Sequence, residues 1–278
     1  MAMPTFASAG QQKIAFLGTE DKNAMWIANL DGTKARRFPS NWSGPEVSPD
    51  GTWLAFTIVS ETPETHIAAT NLVTGKTTIF KDVPGRNCSG PVWSHHGDQI
   101  SFSASAGGIR DLMIMKSDGA DVRSSRAFRG HSSTLYSYCW GPDDASFFSQ
   151  DMSYLYQFSL NGKLMKEWDI RKMTGGATMT SSSRLDLSPD TRRLVFDTAN
   201  GTAYTTYVLD LEKDTAKPVP IAKGFFASQP QWLNDEELVC KVASEDNNKI
   251  GIYRLKTDGS GQTLVMKNAW WPSVSRVP

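Results

Sequence analysis

An internal period of about 46 residues constrains this chain more than any other feature of its sequence. The segment Pro45-Glu-Val-Ser-Pro-Asp-Gly-Thr-Trp-Leu-Ala-Phe-Thr57 reads as a short strand, a turn and a second strand. It recurs at 91–103, 138–149, 185–197 and 230–241. The residues before the turns, Ser48, Ser94, Gly141, Ser188 and Leu233, are separated by 46, 47, 47 and 45 positions. Self-similarity at that spacing, with strands in every copy, belongs to arrays in which each unit is one small sheet.

A second landmark follows each first one: alternating apolar residues that run into a polar turn. It appears at Trp26–Gly32, Ile67–Gly75, Leu112–Gly119, Leu155–Gly162, Tyr207–Asp214 and Ile252–Gly259. Asp-Gly and Asn-Gly between alternating strands are strong hairpin signals, because the favoured two-residue turn needs positive φ at both central positions. Each unit is therefore expected to be antiparallel. The chain ends account for six second landmarks against five first ones. Residues 12–16 supply a second strand with no first strand before it, while Trp271-Pro-Ser-Val-Ser275 matches Gly44-Pro-Glu-Val-Ser48 with nothing after it. The last strand should complete the first sheet and close a ring, leaving no open end sheet. The pattern predicts an all-β fold, a six-bladed β-propeller over residues 12–278, after a disordered start or signal-peptide remnant at 1–11.

Composition narrows the function classes. Among 278 residues, 29 Lys+Arg balance 29 Asp+Glu, so the basic surface that nucleic acid or an anionic membrane demands is not expected. No apolar run reaches the roughly 18 residues of a spanning helix, and no membrane insertion is expected. Cys88, Cys139 and Cys240 are odd in number and lack C-x-x-C spacing, so buried free thiols are expected rather than a disulfide framework or zinc site. The stretch Ala7-Ser-Ala9 resembles the tail of a secretory signal and points to a periplasmic or secreted protein.

The Ser48-Pro-Asp-Gly51 turn, its partial copies Ser188-Pro-Asp190 and Gly141-Pro-Asp143, and the hairpins Asn29-Leu-Asp-Gly32 and Lys116-Ser-Asp-Gly119 resemble the PD40, WD40-like repeat of TolB-like propellers. The resemblance covers residues 12 to 278. It implies a propeller scaffold that binds a protein or peptide, since this repeat type serves scaffolds, peptidase gates and some sugar-cleaving enzymes. The sequence moves straight into blade strands, so partner contacts attributed to that family's N-terminal α/β domain are not expected here.

Chemistry-bearing residues are sparse. Asp50, Asp143, Asp190 and Asp235 share one repeated turn position, where Asp bonds its own backbone. His95-His96 replaces Pro-Asp in one copy, and two neighbouring imidazoles need further ligands before they hold a metal. The sequence has no Gly-x-Ser-x-Gly elbow, His-Glu-x-x-His, Walker loop or Gly-x-Gly-x-x-Gly. No catalytic residue, cofactor or metal is therefore assigned. The repeat also resembles that of oligogalacturonide lyases, which implies as an alternative a carbohydrate-active propeller that binds or cleaves an acidic oligosaccharide through Arg86, His131 and Arg184. His131 precedes an inner strand where it could face the mouth, but the remaining metal ligands of that family are not aligned with this sequence.

Register gives the candidate site. Residues just before each innermost strand ring one mouth of the central channel. Counting five and four positions back from the markers gives Ser43-Gly44, Ser89-Gly90, Tyr136-Ser137, Ser183-Arg184, Ser228-Gln229 and Trp270-Trp271. Trp42, Arg86, His131, Phe225 and Phe226 lie close by in sequence. The expected ligand-binding residues are Trp42, Arg86, His131, Tyr136, Arg184, Gln229, Trp270 and Trp271. They would form an asymmetric aromatic and polar mouth for a protein, a peptide or an oligosaccharide. Trp93, Trp140 and Trp232 recur at one repeat position, where packing between blades is expected. For Trp270 and Trp271, alternation sends only one toward the channel. A monomeric binding protein is the overall expectation.

Overall fold

The computed structural model describes residues 11–20, 22, 24–38, 42–59, 64–80, 83–125, 130–132 and 134–276. The Ala7–Ala9 stretch and the side chain of Trp42 lie outside the described residues. The strands form six four-stranded antiparallel sheets, each joined to the next around a ring. Blade 1 uses Ala269–Val274 as its innermost strand, paired antiparallel to Lys13–Gly18, so the C-terminal strand closes the first blade. Blades 2 to 6 begin at their innermost strands Trp42–Val47, Asn87–Trp93, Tyr136–Trp140, Leu185–Leu187 and Phe225–Trp232. No helix among the described residues is long and apolar enough to cross a membrane.

The strands next to the innermost ones are buried on both faces because each sheet is sandwiched between two others, whereas the outermost strands, such as Thr77–Ile79, are exposed. In Lys13–Gly18, Ile14 and Phe16 pack with Val239 and Ile252 of blade 6, while Ala15 and Leu17 pack with Leu54 and Phe56 of blade 2. This is the period-2 alternation of a strand, with both faces buried. Six apolar clusters fill the molecule, each shared between two adjacent blades. The core is thus a ring of interfaces around the channel.

The repeated tryptophans lock these interfaces. The Trp93 indole N–H donates to the Glu46 carbonyl at 3.0 Å, Trp140 to Val92 at 3.1 Å and Trp232 to Asp186 at 3.1 Å. Each bond crosses from one innermost strand to that of the preceding blade, satisfying a polar tip whose body is buried. Cys88, Cys139 and Cys240 are free and buried.

The turn carboxylates also divide along structural lines. Asp50 accepts from Ser48 Oγ at 2.5 Å and from the Thr52 backbone N–H at 3.0 Å, next to Gly51 at φ +71°. Asp190 repeats this with Ser188 and Arg192. Asp144 and Asp235 instead reach the turn of the preceding blade: Asp144 accepts from the His95 and His96 N–H groups, and Asp235 from that of Asp190. These bonds commit Asp50, Asp190 and Asp235 to turns and blade-to-blade ties, while in the fourth blade the neighbouring Asp144, rather than the expected Asp143, makes the tie.

Candidate functional site: the channel mouth

The mouth is shaped by one backbone device repeated around the ring. Innermost strands bulge where the register shifts between Ser43 and Glu46, Ser89 and Val92, Tyr136 and Tyr138, and Ser228 and Gln231. Within the bulges Gly44, Gly90, Ser137 and Gln229 have φ of +64°, +64°, +47° and +54°, and Trp271 in blade 1 has +55°. Glycine takes this conformation freely, whereas an L-residue gives up about 1–2 kcal/mol. The cost at Gln229 and Trp271 is offset by hydrogen bonds between blades. Asp197 accepts from the Gln229 N–H at 3.2 Å, and the Gln229 side-chain oxygen accepts from the Trp271 N–H at 3.0 Å. Asp197 also accepts from the Arg184 N–H at 2.9 Å.

Arg184 crosses the channel. From blade 5 its guanidinium donates to Glu46 on the opposite blade 2 at 2.5 Å and to the Pro272 carbonyl of blade 1 at 2.7 Å. It lies 5.9 Å from the centroid of the Trp271 ring, a cation–π contact. Burial pushes the Glu46 carboxyl above its usual range, outweighing the pull of Arg184. Below this strut a second arginine spans the bore: Arg276 donates to Asp186 of blade 5 and, at 2.9 Å, to His95 Nδ1 of blade 3. Arg276 can only donate, so His95 Nδ1 accepts, leaving Nε2–H to donate to the Trp140 carbonyl at 3.1 Å. Burial, with Arg276 alongside, lowers the His95 pKa and keeps the ring neutral.

These struts divide the channel. On the mouth side is a cavity of about 180 Å³ lined by Gly90, Pro91, Val92, Tyr138, Ser181–Ser183, Arg184, Leu185 and Trp271, with Arg110 also on its wall. Beyond it is a chamber of about 30 Å³ bordered by His95, Gln231 and Arg276, and Glu46, Val92, Cys139 and Asp186 border both. A ligand entering from the mouth meets the Arg184–Glu46 strut as a floor.

The structure brings Arg184, Gln229 and Trp271 together, with Trp270 edge-on to Trp271 at 6.1 Å. Trp271 lines the cavity, as alternation allowed for one of the pair. Other sequence-predicted residues take separate positions. Arg86 donates to Asp111 at 2.8 Å and to the Ala104 carbonyl, both within blade 3. His131 lies against Tyr154, the ring centroids 4.4 Å apart and the planes tilted by 50°, with Glu167 at 3.5 Å. Tyr136 is half-buried and Tyr138 lines the cavity two residues later. Phe225 packs with the cluster between blades 5 and 6. Among the described residues, no group of three or more His, Cys, Asp and Glu is placed to hold a metal ion.

Counting back to the mouth missed the ring two residues before each marker: Glu46, Val92, Cys139, Asp186, Gln231 and Ser273. These positions face the bore or its closure, and two of them are acids on opposite blades. The same register that located the mouth contains this signal.

Asp197 is 2% exposed, and burial pushes its carboxyl up to about 6 from the usual 3.8. The folded form therefore holds its proton more tightly than the unfolded chain, so stability falls as pH rises from about 4 to about 6. A shift of about two units makes that loss about 3 kcal/mol. Both backbone amides donate to the same oxygen, Oδ1, which an asparagine carbonyl can replace. Asp197→Asn should match the wild type near pH 4 and exceed its stability by about 3 kcal/mol at pH 8, read by urea unfolding. A variant weaker than wild type at pH 8 would show that the carboxylate gains more from its donors than it loses by burial.

No protein-family model and no curated protein sequence matches the chain. Solved structures do. TolB from Acinetobacter baumannii is similar over 97% of this chain and 67% of its own, with 18% identity and a TM-score of 0.70. A putative TolB from Agrobacterium tumefaciens matches 96% of this chain and 99% of its own at 13% identity and a TM-score of 0.66. A chain of a nidogen/laminin complex matches 95% of this chain and 98% of its own at 13% identity and a TM-score of 0.64. The protein is a six-bladed β-propeller whose structural neighbours are TolB and related propellers.

Proposed function

We propose that the protein is a non-enzymatic binding scaffold, monomeric and acting outside the cytoplasm, that recognises a protein or peptide segment through the channel mouth. The observation that carries this reading is a cavity open at the mouth and floored by Arg184 and Glu46. Its walls join apolar surface, from Pro91, Val92, Leu185 and Trp271, to serine hydroxyls and bulged backbone. Such a surface suits one anchoring side chain held by a few orienting polar groups. A nidogen/laminin complex among the fold's neighbours supports protein recognition as a use of this architecture. The Ala7–Ala9 stretch supports export. An acidic oligosaccharide would need cations that converge, whereas Arg86, His131 and Arg184 each face a carboxylate of their own.

Ser182 is exposed on the cavity wall, so Ser182→Trp should fill the mouth without disturbing a blade interface. Wild type on a column should retain a partner from the native envelope extract, and the variant should retain at least about tenfold less while melting at the same temperature. Equal retention would place recognition on another face.

A further inference from the structure

The charges around the mouth are unevenly matched. Four charged side chains line the cavity: Glu46, Arg110, Arg184 and Asp186. Glu46 is paired with Arg184, and Asp186 with Arg276 at its back. The Arg110 backbone pairs with Ser105, but its side chain makes no ion pair or hydrogen bond with another described residue. The next residue, Asp111, is bound to Arg86, and alternation along the strand Ile109–Lys116 sends their side chains to opposite faces. Arg110 is exposed at the lip, beside Ser103 and Tyr138.

The cavity therefore presents one uncompensated guanidinium next to an apolar wall, and its two acids are already neutralised. A basic ligand would meet Arg110 with like charge. A neutral one would cover a cation without pairing it, which wastes the strongest interaction on offer. A carboxylate fits the planar guanidinium fork through two parallel hydrogen bonds. The cavity, about 180 Å³, is on the scale of a side chain rather than of a folded element.

We infer that the mouth takes an acidic peptide segment, in which a carboxylate binds Arg110 and an adjoining aliphatic or aromatic side chain sits against Pro91, Val92 and Leu185 beside Trp271. This rests on the reading of the mouth as a peptide site and specifies the chemistry it selects. Arg184 stays on Glu46 and forms the floor, and Ser181 and Ser182 supply hydroxyls to the peptide backbone.

The test pans a random octapeptide library with free C-termini on the full chain. Enriched sequences should carry Asp, Glu or the terminal carboxylate next to an apolar residue. A resynthesised winner should lose about tenfold or more in affinity when that carboxylate is amidated. It should lose as much on Arg110→Gln, recover partly on Arg110→Lys, and bind Ser182→Trp weakly. Winners without an acid that bind Arg110→Gln as tightly as wild type, yet fail on Ser182→Trp, would overturn the acidic preference and leave the mouth as a peptide site. Winners indifferent to Ser182→Trp, or no winners, would overturn the mouth reading and this inference with it.

Discussion

Deleting residues 268–278 should abolish the sharp cooperative unfolding of the protein and drive it to aggregate. Ala269–Val274 is the innermost strand of blade 1, with Ala269, Ser273 and Val274 at most 2% exposed. Its removal leaves Lys13–Gly18 as a bare inner edge between blades 2 and 6. It also takes away acceptors and donors that other blades use. Ser273 Oγ accepts from the Val47 N–H at 2.9 Å, and Gln231 accepts from the Val274 N–H at 2.7 Å. Without Arg276, Asp186 is left as a buried carboxylate facing an empty bore. Removing one partner of a buried pair costs about 3–5 kcal/mol by itself. Added to the lost packing, the deficit rivals the roughly 5–15 kcal/mol that holds an ordinary domain. An exposed inner edge is a template for other chains. Urea unfolding and size-exclusion chromatography read both effects, and synthetic peptide 268–278 added in trans should restore part of the lost midpoint. A truncated protein with the wild-type midpoint and slope would mean that the ring does not depend on this closure.

The ring was legible because the information that makes it is local and repeated. The Ser48-Pro-Asp-Gly51 turn and its copies are hairpins whose geometry depends on a few adjacent residues, and Asp50 and Asp190 bond their own turns as that reading required. The splice was legible because Gly44–Ser48 and Trp271–Ser275 share a pattern, and a register counted from one end carries to the other. Counting back four positions also reached the bulge residues Gly44, Gly90, Ser137, Gln229 and Trp271.

Direction of side chains was the part that counting could not supply. Arg86 and Arg184 each directly precede an innermost strand, although Arg184 is four positions before its marker and Arg86 eight; Arg86 folds back onto Asp111 of its own blade whereas Arg184 spans to Glu46. Register and the carboxylate in reach both differ: Asp111 is 25 positions from Arg86 in the chain, whereas Glu46 is 138 positions from Arg184. His131 was placed near the mouth by sequence proximity, but Tyr154 and Tyr156 supply an aromatic seat that holds it within blade 4. Arg110 lies just before the second landmark Leu112–Gly119, on the strand Ile109–Lys116 rather than on an innermost strand, so counting back from the markers did not reach it. Only the assembled ring puts it at the lip with its charge unmatched.

Arg184→Met should cost about 3–5 kcal/mol at pH 8, because it strands the Glu46 carboxylate, which is only 9% exposed. The loss should shrink in acid. Burial already raises the Glu46 pKa in the wild type, and removing the guanidinium raises it further, so the folded variant takes up a proton that the unfolded chain holds less tightly. Stability of the variant is therefore greatest below the unfolded carboxyl pKa and drains away as pH rises through the higher folded value. Adding Glu46→Gln should recover most of the deficit at pH 8, since an uncharged amide no longer needs the strut. Urea titrations of wild type, both single variants and the double variant at pH 5 and pH 8 give the cycle, with the coupling read from non-additivity. Arg184 also stands against the Trp271 ring and donates to the Pro272 carbonyl. The single variant should thus loosen the mouth wall, visible as a change in tryptophan emission that the added Glu46→Gln does not reverse. A single variant within about 1 kcal/mol of wild type at pH 8, with no pH dependence of its own, would mean that water in the bore solvates Glu46 as well as the guanidinium does. The mouth would then open into the chamber beyond it, where Arg276 alone bars the way.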